Sequence, residues 1–334
     1  MGTQPSPDPA GRLYALSQTD SLITIFDTKT FTVTDTFTAP IAAPHYICFA
    51  PNSLHYYIVS LEANGRISKF ETATNNFLGS VALPGVLPSS IAITADNAFG
   101  YVSDFTTQTT VGWVYKIDVG AMTLVDSIPD GATSHDLKIT SDGKWVIVSN
   151  RDSETVTMID TDADTVVVVN IDPDSVYAIS DPLKYGPFGI AIDHRDSLAF
   201  VACIKADQIR VLDIAGRRIV DSIQIPHEHS DLGPHGPTLM AVSPDDNIVY
   251  VSTQWSTRIV AASVPTRRVI RTHRFSVGRQ FGVTISSDGS RVYTASINEP
   301  NQTGRIYAID GFNQIVVDSA DVGLNSFGLI WQAP

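Results

Sequence analysis

One frame recurs through this chain: an alternating apolar stretch, a turn rich in Asp, Asn, Ser and Gly, and a second alternating stretch. From His135 it reads "HDLKITSDGKWVIVSN". The same frame opens at His45 ("HYICFAPNSLHYYIVS"), Ser89, Phe188, Thr238 and Phe281, and a truncated copy, "SFGLIW", ends the chain around Phe327. Successive origins lie 43 to 53 residues apart. β-Branched residues in alternation form half-buried strands, and "SDG" supplies a tight turn between two of them. Each frame is followed by a third strand such as "TVTMID" or "GRIYAID" and a fourth such as "MTLVDSI" or "RRIVDSIQI". Four strands at this period make one blade of a propeller.

The ends of the chain complement each other. The N-terminus enters directly at a second strand, "GRLYALS", and the C-terminus stops after a first strand, "SFGLIW". The expected fold is therefore all-β: a single seven-bladed β-propeller over residues 11–334, with four antiparallel strands per blade. The C-terminal strand joins the N-terminal blade, which removes the free edges of an open array. Residues 1–10 are expected as a flexible N-terminal segment.

The net charge of −13 argues against nucleic acid and anionic membrane surfaces as partners. The longest aliphatic run, Val166 to Val169, is far short of a spanning helix. The start "MGTQPSPDPAG" has neither a basic stretch nor an apolar one, so no signal peptide is visible. Its proline content suits a trimmed linker, which leaves both a cytoplasmic chain and an exported one with its leader removed. Cys48 and Cys203 read as reduced packing residues, and Asn301-Gln302-Thr303 is a lone glycosylation sequon. A monomer or weak homodimer is expected.

The hairpins "SDGKWVIVSN", "SPDDNIVYVST" and "SSDGSRVYTAS", each followed by a strand ending "ID" or its equivalent, resemble those of the YVTN-repeat propellers and their lactonase-type relatives. The resemblance covers nearly the whole chain. The segment "HDLKITSDGKWVIVSNR" carries it furthest, with His before the hairpin and Asn-Arg after it. It implies the propeller fold, and it points to enzymes as well as to ligand sensors and scaffolds, since one architecture hosts many functions.

In a propeller the first strand of each blade lines the central channel, so the origin residues His45, Ser89, His135, Phe188, Thr238, Phe281 and Phe327 are expected to ring one mouth. Loops on that face add Glu62, Asp104, Asn150, Arg151, Tyr185, Lys205 and Trp255. Such a rim is where sites are built. His135, supported by His45, is the expected acid or base. Arg151 suits a substrate carboxylate, lactone carbonyl or enolate oxygen, and Asp104 or Glu62 orients a histidine. Ser89 leaves room for a ligand, and Phe188, Phe281, Phe327 and Trp255 give it an apolar wall. The same residues have a plainer reading, with His135 bonded to a loop backbone and Arg151 paired with Asp152 or Glu154.

The loop "HEHSDLGPHGP" gathers His227, His229 and His235, and His235 is expected among the substrate-binding residues of the rim. His-x-His can present two imidazoles to one divalent metal, although no cofactor is favoured over the metal-free site. No phosphate loop and no nucleophile elbow is present. The functional expectation is a lactonase-like enzyme on a small organic metabolite, by lactone hydrolysis or by isomerisation, cyclisation or elimination as an isomerase or lyase. A scaffold or surface-layer module binding a protein partner, and a copper oxidoreductase, are the alternatives.

Overall fold

A computed structural model describes residues 5–107, 111–173, 184–227, 233–276, 278–297 and 302–334. Among them the strands form seven four-stranded antiparallel sheets, the seven-bladed β-propeller class read from the repeat. No helix among the described residues is long and apolar enough to cross a membrane. The chain divides into two compact units, one of residues 45–222 and one of residues 1–44 with 223–334.

The larger unit holds the blades that open at His45, Ser89, His135 and Phe188. Their first strands are Pro44–Phe49, Pro88–Ile93, Ser134–Ile139 and Pro187–Ile192. In the His135 blade the order runs Ser134–Ile139, Trp145–Asn150, Thr155–Asp160, Val166–Asn170. The turn "TSDG" explains itself chemically. Asp142 accepts from the Thr140 hydroxyl and the Lys144 N–H, the Thr140 hydroxyl oxygen accepts from the Trp145 N–H, and Gly143 takes φ 75°. Glycine tolerates that left-handed backbone. Thr94 with Asp96, Ser243 with Asp245 and Ser286 with Asp288 repeat the device. These carboxylates serve turns, and their donors hold them below the usual carboxylate pKa.

The smaller unit confirms the closure. Strand Ser326–Gln332 pairs with Arg12–Ser17, through Leu13 opposite Trp331 and Ala15 opposite Leu329, and completes the blade of Leu22–Asp27 and Thr32–Thr38. The segment ahead of that blade, expected as flexible, is held at several points. Arg291, 2% exposed, binds the Asp8 carboxylate, and Ser6 donates to Asp310.

The first strands Pro88–Ile93, Ser134–Ile139 and Pro187–Ile192 each carry an irregularity near their start. Ser134 pairs with Asn150 and the next partners are Leu137 and Val148, so His135 and Asp136 share a bulge opposite Ser149. Bulges also occur at Ser89–Ser90 and Phe188–Gly189. A bulge re-aims side chains beside functional sites. Second-strand serines fill two of these bulges. Ser103 meets the Ser90 N–H and donates to the His135 carbonyl at 2.9 Å, and Ser149 meets the Asp136 N–H and donates to the Phe188 carbonyl at 2.6 Å. Each hydroxyl thereby ties one blade to the next.

Candidate functional site

The bulge turns His135 inward. Its ring stacks on Phe188 with centroids 3.4 Å apart, meets Phe105 edge-on at 4.9 Å, and stands perpendicular to His45 at 6.1 Å. The expectation of an open rim position with few contacts is corrected here, because His135 and His45 are each 3% exposed. Four aromatic rings packed on one another leave only a small part of either imidazole exposed.

Nδ1 of His135 lies 3.3 Å from the Phe188 carbonyl oxygen, which can only accept. Nδ1 therefore carries the hydrogen and Nε2 keeps its lone pair. Burial, then the neighbouring His45, Arg151 and Lys138, push the His135 pKa well down, and burial brings His45 down to about 4. Both imidazoles are neutral at neutral pH. The Ser89 hydroxyl donates to the His135 carbonyl, so Ser89 is a structural partner of the bulge.

Arg151 comes near the histidine by way of Phe105, its guanidinium carbon 4.8 Å from that ring's centre. It also pairs with Asp152 at 2.7 and 2.9 Å, the plainer of the two sequence readings. Asp104, expected to orient a histidine, instead caps its own loop by accepting from the N–H groups of Leu87 and Thr106. Asn150 is fully buried and donates to the hydroxyls of Thr155 and Thr157. Tyr185 donates its hydroxyl to Asp172 and lies under Arg210, while Glu154 accepts from the N–H groups of Tyr185 and Gly186. Glu62 is half-buried and Lys205 exposed on their loops.

Phe105, Tyr46, Lys138 and Asp136 escaped the sequence reading. Lys138 and Asp136, inside "HDLKI", form a 2.7 Å ion pair, and the Lys138 ammonium also donates to the Tyr46 hydroxyl at 2.9 Å. The signal was available: a lysine on an inner strand needs an internal partner. Asp136 also accepts from the Ile190 N–H, which ties it to the Phe188 blade. The ion pair raises the Lys138 pKa, and burial pushes Tyr46 up to about 12 and Cys48 up to about 11. Cys48 and Cys203 are free thiols.

The remaining expectations fall in the smaller unit. Phe281 and Phe327 meet at 4.9 Å, and Trp255 is 41% exposed and packs over Gly236. His235 is buried beside His227, rings 4.7 Å apart, and the Arg258 guanidinium points at its ring nitrogens from 3.0 and 3.3 Å. A metal at His235 would have to displace that cation. His229 lies outside the described residues.

The family model described as "Lactonase, 7-bladed beta-propeller" matches residues 84–178. No curated protein matches the chain. Among solved structures, the chain is similar to the periplasmic gluconolactonase PpgL of Pseudomonas aeruginosa, with TM-score 0.79 and 17% identity over 97% of this chain and 99% of that one. A protein from Lactobacillus plantarum gives TM-score 0.76 and 18% identity over 96% and 99%. Hydrazine synthase of Kuenenia stuttgartiensis gives 0.69 and 17% over 87% and 90%. At these identities the structures share the fold. The matched stretch contains Ser89, Phe105, His135, Asp136, Lys138 and Arg151, and over it this seven-bladed β-propeller is similar to the lactonase family.

Proposed function

We propose that this chain hydrolyses small lactones, with His135 as the base. The observation that carries this reading is the 3.3 Å contact of His135 Nδ1 with the Phe188 carbonyl oxygen, within the stretch matched by the lactonase family model. With Nδ1 committed to the Phe188 carbonyl, Nε2 is an acceptor, and a strongly lowered pKa keeps it unprotonated. Water adds to the lactone carbonyl carbon as its proton passes to Nε2, and the carbonyl π electrons move onto oxygen. The tetrahedral oxyanion then collapses, the ring C–O bond breaks, and the departing alkoxide takes the proton from Nε2. The product is a hydroxy acid, which releases a proton at neutral pH. Arg151 adds positive charge beside the site and favours the anionic states. Isomerisation, cyclisation or elimination would call on the same base, but the family match favours hydrolysis.

Proton release from a panel of polyhydroxylated five- and six-membered lactones, followed as base uptake at constant pH, tests the proposal. The intact protein is expected to accelerate hydrolysis, and His135→Gln to lose about 100-fold or more of kcat. A panel hydrolysed no faster than in buffer would overturn it.

A further inference from the structure

The two histidines keep only 3% of their surface exposed, and the polar residues next to them on the same strands keep more. Tyr46 follows His45, and Lys138 lies three residues beyond His135. Tyr46 and Cys48 are half-buried, and the Lys138 side chain keeps 28% of its surface. Tyr46 and Lys138 reach each other from the His45 and His135 blades past the inner strand of the Ser89 blade. That strand carries the small residues Ser89, Ser90 and Ala92.

The hydrogen-bond count decides what this group offers. The Lys138 ammonium has three hydrogens, and three acceptors take them: Asp136 Oδ1 at 2.7 Å, the Tyr46 hydroxyl at 2.9 Å and the Leu137 carbonyl at 3.3 Å. Asp136 spends its other oxygen on the Ile190 N–H at 2.9 Å. The Tyr46 oxygen, by contrast, is an acceptor from Lys138 and keeps its own hydrogen, for which no described residue supplies an acceptor. An ammonium donating into a phenol polarises the O–H and strengthens its donation. Its positive charge, fixed in place by Asp136, also favours negative charge building up on whatever oxygen the phenol binds.

We infer that the Tyr46 hydroxyl, backed by the Lys138–Asp136 pair, is the hydrogen-bond donor that receives the carbonyl oxygen of the substrate and holds the oxyanion formed from it. Identification of that oxygen as a lactone's rests on the function proposed above. The availability of the Tyr46 hydrogen rests on the Lys138 contact alone and applies equally to other carbonyl ligands. The phenol keeps its proton throughout, so the proton balance through His135 is unchanged.

Tyr46→Phe removes only the hydroxyl. Two readouts separate this inference from the lactonase reading: kcat on the lactone panel, and calorimetric binding of a polyhydroxylated lactam of the same ring size, which is not hydrolysed. Tyr46→Phe is expected to lower kcat by about 10²–10³-fold, the usual cost of one oxyanion donor, and to weaken lactam binding about tenfold. Lactam binding that depends on Tyr46 in a protein without turnover would sink the hydrolase and leave this subsite standing. Equal kcat and equal binding in both proteins would overturn the subsite, as would an intact protein that neither turns over the lactones nor binds the lactam. If Tyr46→Phe does not fold, the Asp136→Asn/Lys138→Met pair replaces it, since it removes the ammonium without stranding a buried carboxylate. A tenfold loss of lactam affinity is expected there, and unchanged affinity overturns the inference.

Discussion

His135 is bound twice to Phe188: its ring stacks on the phenyl ring at 3.4 Å, and its Nδ1 reaches the same residue's carbonyl oxygen at 3.3 Å. Ser149 donates to that carbonyl as well, at 2.6 Å. A histidine held in this way belongs to the packing between two blades as much as to any chemistry. Its substitution therefore has consequences for stability that an exposed histidine would not show.

His135→Ala should cost about 2–4 kcal/mol, because it leaves a cavity against Phe188 and Phe105 and strips a donor from a buried carbonyl. His194→Ala, on an exposed turn, should stay within about 0.5 kcal/mol. Urea unfolding of both variants decides it. Equal midpoints would mean that the stack contributes nothing.

Acid should destabilise the protein in a window set by the histidines. The unfolded His45 takes up a proton below its ordinary value of 6.5, whereas the buried ring does so only below about 4. Protons thus favour the unfolded chain between those values, so stability is full above pH 6.5 and falls as the pH drops towards 4. His45 alone accounts for about 3 kcal/mol of that loss, and His135 acts in the same direction. Asp310, held down to about 2 by the backbone N–H of Asn313 and by Ser6, adds its loss at lower pH, between 3.8 and 2. Unfolding free energies measured across this range should decline less steeply in His45→Gln. An unchanged slope would show that the ring is not desolvated.

Removing residues 323–334 should abolish cooperative melting. The deletion takes away strand Ser326–Gln332, exposes the edge of Arg12–Ser17, and removes Leu329 and Trp331 from the cluster around Leu13, Phe26 and Tyr293. A truncated chain with the melting temperature of the intact one would contradict the closure.

The repeat alone determined the architecture. Hairpins with capped turns recurring every 43 to 53 residues admit little besides a four-strand blade, and the unmatched first and last strands call for each other. Both signals are local in origin: alternation, turn chemistry and count. Sequence also brought His45 and His135 together through their shared place in the frame, and their rings do meet at 6.1 Å. What it missed depends on neighbours far along the chain. Whether His135 is open or buried is settled by Phe188 and Phe105 closing on it, and whether Arg151 is available is settled by Asp152. The Tyr46–Lys138 contact joins residues 92 positions apart. Strand periodicity fixes which residues share a face, but burial and protonation follow from what the adjoining blades place against that face, and only the tertiary structure decides this.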